Sequence, residues 1–352
     1  MTRLFSNNDT ARPKPKTGER FLMREPEFPR RRDSRCQWEA EQKYHSLRRR
    51  LYRLKDAIEL AGGEVTMLPS RDGVRPGAMY VRDPVASIAQ ADGSMSTWAP
   101  HVLPVFGDRK HAKIAQAELM QGEKVMLPGR FEGGNLIPDR SRNLVFWGVN
   151  NHDYVVQFKA RNNHRWRRET PEDHVRRLAM AKPYAQALGA ARAHHQAADA
   201  DAAVQPPRVV ALYIPNEHAD SYYHLDGVMN VLPTGQAMLL PGILSKPAMY
   251  LLDKHIPAGD RIALQGEDLH RNATNFITVG STVITPYASD KLKKTLGKLG
   301  YGVIDPSAMG LEIGDWDFSF RAGPRCVTQK ITPDYGFPEP KKSHPVARAA
   351  FR

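Results

Sequence analysis

Hydrophobic positions recur along the chain in two patterns, and each pattern predicts one kind of element. Between Trp38 and Leu60 apolar side chains return mostly every three or four residues, which predicts an amphipathic helix ending near Gly62-Gly63. Further along, candidate strands are Ala78–Val81, Leu144–Trp147, Val209–Ile214, Ala237–Leu240, Arg261–Leu264, Phe276–Val279, Thr282–Ile284 and Gly302–Ile304. Candidate helices are His111–Met120, Pro171–Leu188, Lys246–His255 and Ser289–Leu299. Because strands and helices alternate, the sequence predicts an α/β or α+β protein.

The second candidate helix is expected to be interrupted and then to give way to a linker. Pro183 lies inside it, and a proline in a helix interior should kink or break the helix. The alanine-rich segment that follows, residues 189–207, is typical of a surface insertion. Its potential metal ligands are His194, His195, Asp199 and Asp201. A compositionally biased linker explains them better than a metal site does.

The basic charge of the chain is concentrated near the N-terminus. The net charge is +13; residues 1–55 contain 16 Lys and Arg against 7 Asp and Glu, and the remaining residues carry 35 against 31. Prolines interrupt the first thirty residues, so residues 1–36 are expected to form a basic, disordered arm that turnover does not need. The arm is either a solvated tail or a contact for an anionic partner, such as nucleic acid, a membrane surface or an acidic protein.

Several classes of protein and site are excluded by what the sequence lacks. Two cysteines, Cys36 and Cys326, are too few for a disulfide-stapled scaffold or a zinc site built on cysteine spacing. No apolar run is long enough to span a membrane, and the first thirty residues lack the apolar core of a secretory signal. We therefore expect a cytoplasmic protein, although delivery by a dedicated secretion system would escape this argument. The absence of a glycine-rich phosphate loop removes support for a nucleotide cofactor.

Four short stretches place polar or ionisable side chains at the ends of strand-like runs, beside turn-forming residues. Rigid scaffolds usually present functional groups at such places. The stretches contain Arg82-Asp83, Glu132-Gly133-Gly134-Asn135, His224-Leu225-Asp226 and Arg321-Ala322-Gly323-Pro324-Arg325-Cys326. Taken singly, each has an ordinary explanation, namely a turn, a hairpin, a hydrogen-bonded pair and a buried thiol.

Together and in this order, the four stretches resemble the guanidine-modifying enzymes of the pentein superfamily. That superfamily includes arginine deiminases, agmatine deiminases, dimethylarginine dimethylaminohydrolases and amidinotransferases. The resemblance implies an α/β-propeller of five ββαβ modules around a central site. The expected organisation is an arm at 1–36, a helix at 37–64, a catalytic domain at 65–335 with the 189–207 insertion, and a basic tail at 336–352.

The resemblance also implies a role for each catalytic residue. Cys326 would be the nucleophile, because a polarisable thiolate suits attack on a resonance-stabilised guanidinium carbon. His224 would protonate the leaving amine and then activate a water molecule. The carboxylates of Glu132 and Asp226 would accept hydrogen bonds from the planar cation. No metal and no organic cofactor is implied.

Three further residues are expected to bind the substrate. Asp83 would be a third carboxylate for the guanidinium, and Asn135 stands where many members of the superfamily have an aspartate. Arg321, five residues before Cys326, would pair with the α-carboxylate of an amino-acid substrate. A rim arginine without a ligand is the plainer explanation of Arg321.

Three functions remain open at the level of the sequence. The first is a hydrolase that releases ammonia or a small amine from a guanidino substrate, such as free arginine, a relative of arginine or peptidyl arginine. The second is an amidinotransferase, which would pass the amidino group from Cys326 to an acceptor amine. The third is a non-catalytic protein that binds an anionic partner through the basic arm. The oligomeric state does not follow from the sequence.

Overall fold

The chain is a mixed α/β protein, and its backbone is organised around small sheets. The computed structural model describes residues 18–26, 34–70, 80–81, 85–89, 95–102, 123–130, 132–149, 170–197, 207–219, 221–312, 314–316, 318 and 322–331. The predicted helix His111–Met120 and the tail at 336–352 lie outside these residues.

Within these ranges the strands form five sheets of three strands each. The middle strand of every sheet pairs antiparallel with one neighbour and parallel with the other. Sheet 1 contains β1 (Arg20–Arg24), β2 (Glu64–Leu68) and β15 (Gln329–Lys330), with β1 in the middle. Sheet 2 contains β3 (Ala86–Ala89), β4 (Met95–Val102) and β5 (Glu123–Arg130), and sheet 3 contains β6 (Leu136–Asp139), β7 (Leu144–Val149) and β8 (Arg208–Tyr213). Sheet 4 contains β9 (Met229–Val231), β10 (Ala237–Leu239) and β11 (Arg261–Ala263), and sheet 5 contains β12 (Ile277–Val279), β13 (Thr282–Ile284) and β14 (Gly302–Ile304).

Helices supply the crossovers that parallel strand pairs need. The helices of the described residues are α1 (Ser34–Leu60), α2 (Pro171–Ala197), α3 (Asn216–Ala219), α4 (Lys246–His255), α5 (Glu267–His270) and α6 (Asp290–Lys298). Helix α1 connects β1 to β2, α2 connects β7 to β8, α4 connects β10 to β11, and α6 connects β13 to β14. In the described residues, sheets 1, 3, 4 and 5 therefore share one connectivity, in which a helix follows the middle strand and leads into the parallel strand; the β4–β5 connection lies outside these residues.

Buried apolar side chains join each sheet to the next, and they also join the last sheet to the first. Pairs that belong to one hydrophobic cluster are Leu22 and Ala99 (sheets 1 and 2), Trp98 and Phe146 (sheets 2 and 3), Phe146 and Met229 (sheets 3 and 4), Met238 and Val283 (sheets 4 and 5), and Ile284 and Phe21 (sheets 5 and 1). The antiparallel edge strands also contact one another in series, β15 with β3, β3 with β6, and β6 with β9. The apolar clusters, in contrast, also connect sheet 5 back to sheet 1.

The prediction of a disordered arm over 1–36 is wrong for the residues that form β1. Phe21 and Met23 are buried, and β1 lies between β2 and β15. The fully buried Glu19 accepts a hydrogen bond from the Gly280 amide at 2.8 Å and pairs with Lys330 at 3.1 Å. This stretch is therefore part of the fold.

Most of the predicted strands after residue 140 are confirmed to within two residues, and α4 has the predicted bounds. In the candidate strand Ala78–Val81, however, Tyr80 and Val81 lie outside any strand. The amphipathic helix expected over 37–64 is present as α1, although it begins earlier and ends before Gly62-Gly63.

Of the kink or break expected at Pro183, a break is absent, because α2 continues through the proline to Ala197. Residues 189–197 are consequently helical and not a linker. Ala181 and Ala185, on either side of the proline, are buried in the cluster that contains Leu212 of β8. Packing of this face against sheet 3 offsets the loss of one backbone hydrogen bond. No helix among the described residues is long and apolar enough to cross a membrane.

Candidate functional site

The described candidate residues stand just before the antiparallel edge strands of three different sheets. Glu132 precedes a 3₁₀ turn, Gly133–Asn135, that leads into β6, and Asp226 lies in the turn before β9. Cys326 lies in the turn before β15. Since β15 contacts β3, β3 contacts β6, and β6 contacts β9, the residues at the starts of these strands come together.

Glu132 and His224 form a buried pair. The His224 Nε2 atom lies 2.6 Å from Glu132 Oε2, and the Glu132 side chain is fully buried. The close approach depends on Gly134, because a Cβ atom at that position would lie 2.5 Å from His224 Nδ1. Tyr223 packs against the imidazole with a ring-centroid distance of 4.5 Å. The imidazole is thus held between a carboxylate, a glycine and an aromatic ring.

Asn135 ties the glutamate turn to the histidine turn. Its Oδ1 atom accepts a hydrogen bond from the Leu225 amide at 3.1 Å, and Asn135 is buried. Gly148 of β7 allows this contact, since a Cβ atom there would lie 2.5 Å from the Leu225 Cβ and 2.9 Å from Asn135 Oδ1. Asn135 therefore supports the backbone beside Asp226.

Cys326 and Asp226 meet in the interior. The Sγ atom lies 3.9 Å from Asp226 Oδ2, and both side chains are buried. The turn that presents the thiol is closed by the Cys326 amide, which donates to the Gly323 carbonyl at 3.1 Å. The Thr328 hydroxyl also donates to the Pro324 carbonyl at 2.9 Å. The structure thus brings four sequence-predicted residues into two contacting pairs, Glu132 with His224 and Asp226 with Cys326.

Two further residues belong to this cluster, Arg325, which the sequence analysis named without a role, and Asn275, which it missed. Arg325 Nε lies 3.8 Å from Asp226 Oδ2, and Arg325 Nη2 donates to the Leu136 carbonyl at 3.2 Å. Asn275 Nδ2 donates to Cys326 Sγ at 3.1 Å. Burial lowers the pKa of Arg325 from its ordinary value, whereas the neighbouring Asp226 and Cys326 act in the opposite direction. A positive charge and an amide donor therefore lie beside the acidic group and the thiol.

A repeated position could have revealed Asn275. It comes shortly before β12, the antiparallel edge strand of sheet 5, as Glu132, Asp226 and Cys326 come before the corresponding strands of their sheets. Asp83 occupies the same position in sequence before β3, but Asp83 and Arg321 lie outside the described residues. Within the described ranges, no group of three or more His, Cys, Asp or Glu could hold a metal ion.

No known protein-family model matches the chain. Over 114 residues the chain is 29% identical to the bifunctional arginine dihydrolase/ornithine cyclodeaminase AgrE of Nostoc sp.. This match spans 32% of the chain and 15% of AgrE. An AgrE variant solved with L-arginine has a TM-score of 0.58 and 17% identity, covering 90% of this chain and 40% of AgrE. The chain thus spans well under half the length of this bifunctional relative.

Two single-domain structures align over nearly their whole length. The N-terminal domain of ArgZ, a cyanobacterial arginine dihydrolase solved with its substrate, has a TM-score of 0.59 and 17% identity, covering 90% of this chain and 98% of the ArgZ domain. DDAH from Pseudomonas aeruginosa, solved with citrulline, has a TM-score of 0.53 and 14% identity, covering 89% of this chain and 99% of DDAH. At these identities the likeness establishes a shared fold, and it confirms the predicted resemblance at that level.

Proposed function

We propose that this chain, which has the fold of the guanidine-modifying superfamily, is a cysteine-dependent hydrolase of a guanidinium group. The observation that supports the proposal most directly is the contact between Cys326 and Asp226, next to the Glu132–His224 pair. A carboxylate beside a buried thiol disfavours the thiolate that nucleophilic attack requires. A cationic substrate that pairs with the carboxylate would remove this penalty at the moment of binding.

The guanidinium would be bound by acceptors on two sides. Its N–H groups match the oxygens of Asp226 and Glu132, and Asp83 is proposed as a third acceptor. Bidentate hydrogen bonds to a planar cation fix the plane of the ligand, which leaves the guanidinium carbon accessible from its face. Cys326 would approach from that face, since its sulfur already contacts Asp226.

The reaction would proceed in two steps, formation of a covalent intermediate on Cys326 and its hydrolysis. In the first, the Cys326 thiolate forms a C–S bond with the guanidinium carbon, and one C–N bond breaks as the amine takes a proton from His224 and leaves. In the second, His224 accepts one proton from water, the oxygen bonds to the carbon, and the C–S bond breaks to regenerate the thiolate. The remaining hydroxyl proton passes to solvent, where it protonates the amine released in the first step. The product carries a ureido group in place of the guanidino group. Glu132, through its contact with Nε2, would orient the imidazole in both steps.

We propose free arginine as the substrate. Support comes from Arg321, which could pair with an α-carboxylate, and from AgrE, which was solved with L-arginine. The five sheets are proposed to be the five modules of an α/β-propeller, with the site residues before the antiparallel edge strands facing a shared centre. In that arrangement β1 and β15 together complete one module, so the catalytic domain would extend beyond the expected 65–335 range to include residues 18–26.

Trapping the covalent adduct tests the proposal directly. The protein is mixed with arginine, quenched in acid and analysed by mass spectrometry; an amidino-type adduct on Cys326 is expected, and Cys326→Ser should show none. Citrulline as product supports a deiminase, whereas ornithine would indicate a second hydrolysis, as the name arginine dihydrolase implies for ArgZ. Product that forms only with an added amine such as glycine would favour an amidinotransferase. An intact protein that shows neither adduct nor product with arginine, agmatine or a peptidyl arginine would contradict the proposal and favour a binding role.

A further inference from the structure

We propose that Asn275 is a positioning residue that holds the sulfur of Cys326 and stabilises its thiolate. The inference rests on the proposed function of Cys326 as a nucleophile. Asn275 Nδ2 donates to Sγ at 3.1 Å, and the Oδ1 atom of the same side chain accepts a hydrogen bond from the Arg325 amide at 3.0 Å. One buried amide therefore contacts both the thiol and the backbone that presents it.

The surroundings of Asn275 are arranged to keep this amide in place. The backbone N–H of Asn275 donates to the Asn272 carbonyl at 2.9 Å. The backbone carbonyl of the next residue, Phe276, accepts from Asn230 Nδ2 of sheet 4 at 3.0 Å. On the other side Gly323 packs closely, since a Cβ atom there would lie 2.8 Å from Asn275 Oδ1. Hydrogen bonds thus hold the backbone at Asn275, and Gly323 packs against its side chain.

Asn135 provides an internal comparison. Asn135 Oδ1 accepts the amide of Leu225, the residue before Asp226, and Asn275 Oδ1 accepts the amide of Arg325, the residue before Cys326. Both asparagines therefore support the backbone next to a candidate site residue. Of the two asparagines, Asn275 is the one that donates a hydrogen bond to the sulfur, so its role extends beyond backbone support.

The electrostatics beside the sulfur explain why such a donor is needed. The charged groups beside Sγ include the Asp226 carboxylate, at 3.9 Å, and the Arg325 guanidinium. The carboxylate disfavours a thiolate and the guanidinium favours it. An N–H donor aimed at the sulfur stabilises the charged form by hydrogen bonding, which lowers the pKa of a thiol.

The test measures the pKa of Cys326 from the rate of iodoacetamide alkylation as a function of pH. A Cys36→Ser background leaves Cys326 as the single thiol. In this background Asn275→Ala should raise the pKa of Cys326 by about one to two units, the size expected for losing a hydrogen bond to a charged group. The matched control, Thr328→Val, loses a hydrogen bond to the Pro324 carbonyl in the turn that presents the thiol, and not one to the sulfur, so it should leave the pKa of Cys326 nearly unchanged.

Two variants keep the proposal testable if one fails to fold. Asn275→Asp retains an acceptor for the Arg325 amide but replaces the donor with a carboxylate, so it should raise the pKa of Cys326 at least as far as Asn275→Ala. Folding of each variant is checked by thermal melting. A folded Asn275→Ala or Asn275→Asp protein whose thiol titrates as in the parent would overturn the inference and leave Asn275 with backbone support alone.

Alkylation uses no substrate, so this result is independent of the proposed function. A parent protein that turns over no guanidino compound would contradict the function, while the thiol titration would still be measured. If the parent does act on arginine, Asn275→Ala should lower kcat by about 10- to 100-fold near neutral pH. The loss should shrink at higher pH, where the thiolate forms without the donor; a loss that is the same at every pH, with an unshifted thiol, would count against the proposal.

Discussion

The Nε2 atom of His224 lies 2.6 Å from Oε2 of Glu132, a carboxylate with no exposure to solvent. The other ring nitrogen, Nδ1, faces Gly134, where a Cβ atom would come within 2.5 Å. The imidazole consequently contacts a buried carboxylate through Nε2, and Gly134 makes room for the ring beside Nδ1. This geometry links the Glu-Gly-Gly sequence to the histidine: the glutamate binds it, and the second glycine gives it space.

Replacing Glu132 by Gln should lower kcat/KM for arginine by about 100- to 1000-fold. Gln keeps the shape of the side chain but removes the charge that strengthens the contact to His224 and would bind the guanidinium. Steady-state kinetics separate the two effects, because loss of histidine orientation lowers kcat and loss of a substrate contact raises KM. Glu267→Gln is the control, since Glu267 is exposed and pairs with Arg271 on the surface. Equal activity in the two variants would refute the assignment of Glu132.

Gly134→Ala should displace His224 and lower kcat/KM by about 100-fold, because small misplacements of a catalytic group are costly. It should also cost about 1–3 kcal/mol of stability through overpacking. Gly297→Ala, in α6 where an added Cβ meets nothing within 4 Å, should keep full activity. Kinetics and thermal melts on both variants check this; an active Gly134→Ala would mean that the histidine tolerates the shift or is not needed.

The sequence predicted well those helices and strands whose bounds are set by interactions between residues close together in the chain. Helix α4 matched its predicted bounds because Ser245 caps it by accepting a hydrogen bond from the Ala248 amide at 3.2 Å. Ser289 likewise caps α6 through the Leu292 amide. Strand β1 could not be predicted in this way, because its partners lie in β2 and β15 and its apolar run of Phe21, Leu22 and Met23 is short.

The candidate site was predictable only where residues form a sequence motif. Glu132, His224, Asp226 and Cys326 belong to such motifs, and the structure brings them together in two contacting pairs. Arg325 lies in the Cys326 stretch but had no assigned role there, and Asn275 lies in no motif, since an asparagine before a strand is usually an ordinary turn residue. Their role is apparent only in the folded structure, where the turns before β12 and β15 lie beside the same cluster. That arrangement depends on contacts between residues about fifty positions apart in the chain.

Arg321→Ala should reduce kcat/KM for free arginine by about 2–4 kcal/mol, the loss typical of truncating one partner of a buried ion pair. Agmatine and a peptidyl arginine present no free α-carboxylate, so their turnover should change little. The quantity to measure is the ratio of arginine to agmatine turnover in the parent and in the variant. A ratio that stays constant would show that Arg321 does not recognise the carboxylate and would remove the main reason for proposing free arginine.

Asp305→Asn should destabilise the fold at neutral pH, by about 1–3 kcal/mol. Asp305 is buried and accepts hydrogen bonds from Ser307 Oγ at 2.7 Å and the Ala308 amide at 2.9 Å, and it pairs with Lys293 at 2.8 Å. Burial raises the pKa of Asp305, but the contacts with Lys293, Ser307 and Ala308 outweigh it and lower the pKa overall. The stabilisation is therefore present above the ordinary aspartate pKa and is lost as the pH falls through the depressed value.

Denaturant unfolding at several pH values checks the Asp305 prediction. The difference between the parent and Asp305→Asn should be largest near neutral pH and should shrink as the solution is acidified past the ordinary aspartate range. Asp253→Asn serves as the control, because the Asp253 carboxylate is half exposed and its pairing with Arg261 should contribute little. A difference for Asp305→Asn that grows with acidity would have the wrong sign and would contradict the assigned cause.

Two N-terminal deletions should behave differently, because β1 is the middle strand of sheet 1. Removing residues 1–17 leaves every described contact of β1 in place, so melting temperature and turnover should stay close to those of the parent. Removing residues 1–26 also takes Phe21 and Met23 from the core and leaves Lys330 without Glu19. It exposes the edges of both β2 and β15, and cooperative thermal unfolding should be lost.

Heparin retention that falls with the shorter deletion would support an anionic partner for the basic segment. Full turnover after the longer deletion would mean that β1 is not required to hold Cys326, which lies three residues before β15.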